Sequence, residues 1–143
     1  MPTSSQKRKR SRYVVFISYS STDSWIARVI TKKVEALGAE VYTYEKDMTG
    51  GGVVVEEIIR GIDDCDEAIV LISPTTLRQP YWVMFEVGAV RGQHKHVTPV
   101  LNNVDPGDIW PPAKDLKAVE LNNLEQFVGQ LRKRIDRELR SKK

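Results

Sequence analysis

The sequence predicts one α/β domain, a doubly wound and mostly parallel sheet of five strands in the order 2-1-3-4-5 with helices on both faces. Three observations lead there. A chain of 143 residues, 41% of them hydrophobic, is long enough to bury one core. From Tyr13 onward, short apolar runs alternate with amphipathic stretches, as in sheets whose strands are joined by helices. One run, Ala68 to Ile72, is apolar without interruption, which suits a central strand covered on both faces.

Val14 to Tyr19 reads as strand one. Ser21, Thr22 and Asp23 then offer capping oxygens to a helix whose Ile26, Val29, Ile30, Val34 and Leu37 share a face, and Gly38 suits its end. Val41 to Tyr44 is strand two, followed by a loop from near Glu45 through Gly50-Gly51-Gly52. Val55, Ile58, Ile59 and Ile62 recur at helical spacing, and the acids Asp63, Asp64, Asp66 and Glu67 are expected to end that helix in water. After strand three, residues 74–80 are expected to form a loop, 81–91 a helix and Val97 to Leu101 strand four. The proline-bearing stretch 102–113 reads as a surface loop, and 117–121 as a short fifth strand. A last helix, starting near Asn122 or Asn123, carries Leu124, Phe127, Val128, Leu131, Ile135 and Leu139 as its stripe. This is the smaller, flavodoxin-like doubly wound arrangement, whose ligand crevice lies beyond the carboxyl ends of strands one and three.

Charge is unevenly spread. Of the 22 basic residues, five lie in 7–12 and seven in 132–143, leaving ten in 13–131; only Asp136 and Glu138 of the 19 acids fall outside that segment, so its formal charge is −7. An acidic body argues against a specific nucleic-acid surface. Residues 1–12 are expected to be a disordered basic tail, 13–140 the folded domain and 141–143 a basic end. The lone Cys65 excludes an intrachain disulfide and a multi-cysteine zinc cluster, and reads as a buried structural thiol. His94 and His96 lack a third ligand, so no metal site is expected. No apolar run approaches membrane-spanning length and the start lacks a secretory apolar stretch, so a cytoplasmic protein is expected.

The crevice-forming ends, Ile17-Ser18-Tyr19-Ser20 and Leu71-Ile72-Ser73, lack the carboxylates of a phosphoacceptor, and neither G-x-G-x-x-G nor a P-loop occurs. The hydroxyl-rich Ser18 to Thr22 lacks the glycine a flavin phosphate loop usually needs. Trp82 and Glu86, four apart, share a helix face beside the crevice. From spacing alone, Trp82 reads as core and Glu86 as a solvated surface acid.

From Tyr13 to about Leu139 the chain resembles Toll/interleukin receptor (TIR) domains. Val15-Phe16-Ile17-Ser18-Tyr19-Ser20 is similar to the family's opening motif, with Asp23 supplying the acidic helix start. Tyr44 to Gly51 occupies the place of the loop after strand two, with Asp47, Met48 and Gly51 matching its acidic, apolar and glycine positions. Trp82 and Glu86 match the pair found in TIR domains that cleave NAD. The chain departs from the pattern at Tyr44, where many relatives carry an acid, and at Gly50, where many carry proline.

The resemblance implies an NAD glycohydrolase or cyclase with Glu86 as catalytic residue, an exposed crevice acid contributing little to stability. Phe16, Ser18, Ser20 and Trp82 would line the substrate crevice, although strand alternation is expected to keep the first three from all pointing inward. NAD would be substrate, with no resident cofactor. Asp47, Met48 and Gly51 would serve self-association with further TIR domains, in bacterial antiphage signalling. The competing implication is a TIR adaptor or host-directed effector that acts through TIR–TIR contact without catalysis.

Overall fold

The computed structural model describes residues 12–46, 55–78, 80–108 and 117–141. Strands β1 (Val14–Ser20), β2 (Glu40–Lys46), β3 (Glu67–Ile72), β4 (His96–Leu101) and β5 (Val119–Glu120) form a parallel sheet in the order β2-β1-β3-β4-β5, as expected. The helices are α1 (Ser24–Glu35), α2 (Val55–Asp64), the short α3 (Pro74–Leu77), α4 (Pro80–Gly92) and α5 (Leu124–Ser141).

Period-two alternation divides the core in two. Val14 and Phe16 of β1 join Ile58 and Ile62 of α2 and Val87 and Val90 of α4 on one face. Val15 and Ile17 join Ile26 and Ile30 of α1 and Leu131 and Ile135 of α5 on the other. β3 is buried along its whole length, and each large aliphatic side chain so covered contributes about 1.5–3 kcal/mol. Gly38, at φ +94°, lets the chain leave α1 in a left-handed conformation. Gly61 lets α2 lie directly on the Phe16 ring, since a methyl group there would sit 2.7 Å from its Cδ1. Cys65 is buried, its thiol donating to the Ile62 carbonyl at 3.3 Å.

Several local expectations are corrected. Strand two does not stop at Tyr44: the parallel ladder carries Glu45 opposite Tyr19 and Lys46 opposite Ser20. Residues 74–80 are not simply loop, because Pro74 and Pro80 each start a helix, a position where the missing N–H costs nothing. Asp23 makes no side-chain cap for α1; a single 3₁₀ turn, Ser21–Asp23, precedes that helix instead.

The acidic run after α2 does not simply end in water. Asp66 Oδ2 accepts from the Val14 N–H at 2.7 Å, and Lys95 Nζ donates to the carbonyls of Ile62 and Asp63 at 2.6 and 3.0 Å. Glu67 is wholly buried: it accepts from the Tyr13 hydroxyl at 2.6 Å and from Arg134 Nε and Nη2 at 2.9 Å each, tying α5 to the amino-terminal end of β3. Burial, and after it the Glu67 charge, pushes the Tyr13 phenol far above its usual range. No helix among the described residues is long and apolar enough to cross a membrane.

Candidate functional site

The site is built where β1 leaves the sheet core on the face covered by α2 and α4. Phe16, Ser18 and Ser20 are two apart and therefore lie on one face of the strand, which corrects the expectation that alternation separates them. Their depths differ. Phe16 is core, packed under α2, and borders a surface cavity of about 190 Å³ with Tyr42, Tyr44 and Arg60. The Ser20 hydroxyl lies 3.0 Å from that of Thr22 and donates to Asp23 Oδ2 at 3.2 Å, which is what occupies the carboxylate expected to cap α1.

Ser18 is the residue brought to Glu86. Glu86 lies mid-way along α4 and is 1% exposed, so the expected open crevice acid is in fact enclosed. Its enclosure follows from its partners. Oε2 accepts from the Ser18 hydroxyl, and Oε1 accepts from Lys46 Nζ at 2.7 Å. Lys46 Nζ also donates to Ser18 Oγ at 2.5 Å, closing a triangle of hydroxyl, ammonium and carboxylate. Lys46 is 0% exposed and lies three residues beyond the middle of β2, where the extended ladder carries it above the crevice.

Sequence reasoning missed Lys46 because it ended strand two too early. The available signal was parity: once β2 runs in parallel register with β1, Tyr42, Tyr44 and Lys46 pair with Phe16, Ser18 and Ser20. At the neighbouring end of β3 the Ser73 hydroxyl is buried and has no hydrogen-bond partner among the described residues; the Thr76 hydroxyl instead accepts from Ser73 N–H at 2.6 Å and donates to its carbonyl at 2.7 Å. Trp82 stands one turn before Glu86 in α4, but its side chain is outside the described residues, as are Asp47, Met48 and Gly51 of the expected association loop.

Chemically, the triangle presents one carboxylate with both oxygens engaged and a hydroxyl polarised from both sides. Held dry, such a carboxylate favours a positive charge placed against it far more than one in water would. No group of three His, Cys, Asp or Glu side chains among the described residues is arranged to hold a metal ion. A cavity of about 650 Å³ lies at the other edge of the sheet, between β4, β5 and α5, and includes none of these residues.

Comparison with known proteins agrees with this architecture. A model of the TIR domain matches residues 15–135. The stimulator of interferon genes protein of Magallana gigas is 32% identical over 116 residues, covering 76% of this chain and 28% of that protein. A probable 2′ cyclic ADP-D-ribose synthase of Brachypodium distachyon is 25% identical over 126 residues, covering 85% of this chain and 56% of that protein. The structure of a metazoan TIR-STING receptor from C. gigas in complex with 2′,3′-cGAMP superposes with a TM-score of 0.65 at 27% identity, over 85% of this chain and 40% of that one. The chain thus spans well under two thirds of each of these relatives.

Proposed function

Because the chain belongs to the TIR domain family, we propose that it cleaves NAD at the nicotinamide–ribose bond, with Glu86 as the catalytic carboxylate. The observation that carries this reading is Glu86 itself, a carboxylate fixed on α4 over Ser18 at the carboxyl end of β1. The plant relative named as a probable 2′ cyclic ADP-D-ribose synthase supports it.

In this reaction the ribose C1′–N bond breaks with its electron pair going to the pyridinium nitrogen, so nicotinamide leaves neutral and needs no general acid. The ribose is left as an oxocarbenium-like cation. Glu86 would accept hydrogen bonds from the ribose hydroxyls and stabilise that charge, as glycosidase carboxylates do. Water, or an atom of the same nucleotide, then bonds to C1′, giving ADP-ribose or a cyclic ADP-ribose with loss of a proton. Ser18 would orient the carboxylate, and Trp82 would form a wall for the nicotinamide. Phe16 supports the strand from below, and Ser20 lies farther along the same face.

The proposal places the enzyme in the cytoplasm, self-associating through the loop that holds Asp47, Met48 and Gly51, with other TIR proteins as further partners. The relative named as a stimulator of interferon genes protein supports an immune signalling context, of which bacterial antiphage defence is the setting proposed. A second reading, a TIR adaptor or host-directed effector without catalysis, is favoured by one observation: Glu86 is 1% exposed, with both oxygens bonded to Lys46 and Ser18.

Incubating the protein with NAD and measuring nicotinamide separates the two. Release that rises with protein concentration and is lost in Glu86→Ala is the expected result. No release at any concentration from the folded wild-type protein would establish the adaptor reading.

A further inference from the structure

We infer that Lys46 is a built-in stand-in for the substrate's positive charge, a latch that must leave Glu86 before NAD can reach it. The inference rests on the reading of Glu86 as the carboxylate that meets the ribose.

Two facts make the observed arrangement a closed one. Glu86 is 1% exposed, and each of its oxygens already accepts a hydrogen bond, from Ser18 and from Lys46. A ribose hydroxyl therefore has no open path to the carboxylate, although each oxygen keeps a lone pair that could accept it once the ammonium is withdrawn. The arrangement is also chemically apt: a cation sits on the carboxylate where the reaction generates one. NAD carries its cation on the ring attached to the ribose, so substrate and lysine compete for the same charge.

Of the three partners, Lys46 is the one built to move. Glu86 is held mid-way along the 13-residue α4, and Ser18 lies in β1, paired on both sides by β2 and β3. Lys46 is the last residue of β2, a strand at the edge of the sheet, and carries its charge on a flexible four-carbon stem. Withdrawing it breaks one ion pair and one hydrogen bond, and leaves both other groups in place. A protein whose competent state is the minor one, about 0.1–10% populated, binds its ligand about 10- to 1000-fold more weakly than that state would. Lys46→Gln retains a donor for Glu86 but removes the charge, and so lifts much of this penalty.

The test is nicotinamide release at submicromolar enzyme by wild type, Lys46→Gln and Glu86→Ala. The latch requires kcat/KM to rise about tenfold or more in Lys46→Gln, the gain expected from freeing a site open in a tenth of molecules or fewer. Activity that drops to the level of Glu86→Ala would show that the lysine positions the carboxylate for catalysis and would overturn the latch alone. Activity retained by Glu86→Ala would overturn the catalytic reading, and the latch with it. A second readout needs no variant: amine-reactive labelling of wild-type Lys46, followed by peptide mass spectrometry, with and without a carbocyclic NAD analogue that cannot be cleaved. Lys46 should be protected in the free protein and labelled severalfold faster with analogue bound. A lysine that stays protected while calorimetry shows the analogue bound would overturn the proposal.

Discussion

Two buried carboxylates stand near opposite ends of the same sheet, and their counter-ions differ in kind. At the amino-terminal end, Glu67 of β3 is gripped by the planar fork of Arg134 from α5 at both oxygens and by the hydroxyl of Tyr13, the residue just before β1. At the crevice end, Glu86 is held by one ammonium and one hydroxyl. A guanidinium making two parallel bonds fixes direction as well as charge, whereas an ammonium is a point charge on a pliant stem. The first arrangement is suited to holding the fold together and the second to being exchanged. Burial is common to both acids; what separates them is the geometry of the partner.

The largest effect expected is at the structural end. Glu67→Ala should cost about 3–5 kcal/mol, because it leaves Arg134 and the Tyr13 hydroxyl facing an unfilled site. Urea unfolding should show Glu67→Leu combined with Arg134→Met losing much less, since no charge is then stranded. Equal losses for the single and double replacements would mean that packing, not the ion pair, is what matters there.

Glu86→Ala comes next, and it sharpens the contrast. It should abolish nicotinamide release and, if the wholly buried Lys46 swings its ammonium out to water as the latch requires, cost less than the roughly 3–5 kcal/mol of a stranded buried charge. A melting temperature lowered as far as by Glu67→Ala would show that Lys46 is no freer to move than Arg134.

Gly61→Ala probes the packing under the crevice end. The added methyl meets the Phe16 ring, two residues before Ser18, and overpacking of this kind costs about 1–3 kcal/mol. Hydrogen exchange should quicken in β1 and α2 while α5 keeps its protection. Uniform quickening would mean that the two ends unfold as one unit.

The smallest effect concerns pH at the structural end. Burial, and then the charge of Arg134, lowers the His96 pKa from its usual 6.5, with Glu67 pulling the other way. The unfolded chain therefore takes the proton before the folded one does as pH falls. The contribution of His96 to stability is present above pH 6.5 and lost as pH drops below that value through the folded pKa. His96→Gln should flatten the acid limb of a stability curve measured between about pH 7 and pH 5. An unchanged slope would mean that neither burial nor the Arg134 charge acts on His96.

Much of this was legible in the sequence, because hydrophobic period reports which face each residue buries. The strand order, the two-sided burial of β3 and the stripe on α5 all follow from it. What escaped was the pairing of polar residues far apart in the chain. Glu67 looked like one of a run of solvated acids because its partner Arg134 is 67 residues away. Lys46 looked like loop because nothing local distinguishes a lysine in water from one whose counter-ion is 40 residues ahead. Glu86 was singled out by its spacing from Trp82 and by resemblance, but its enclosure depended on Lys46 and went unseen. The placement of Phe16, Ser18 and Ser20 on one face was readable from alternation alone.

The Glu67–Arg134 bridge also sets a clock. A ribosome adding about 5–20 residues each second needs about 3–13 s to travel the 67 residues between them. Throughout that interval β3 exists without the guanidinium that makes burial of its first residue tolerable. The nascent sheet therefore keeps its amino-terminal end open to water until α5 arrives, and that end closes only after β4 and β5 have been made.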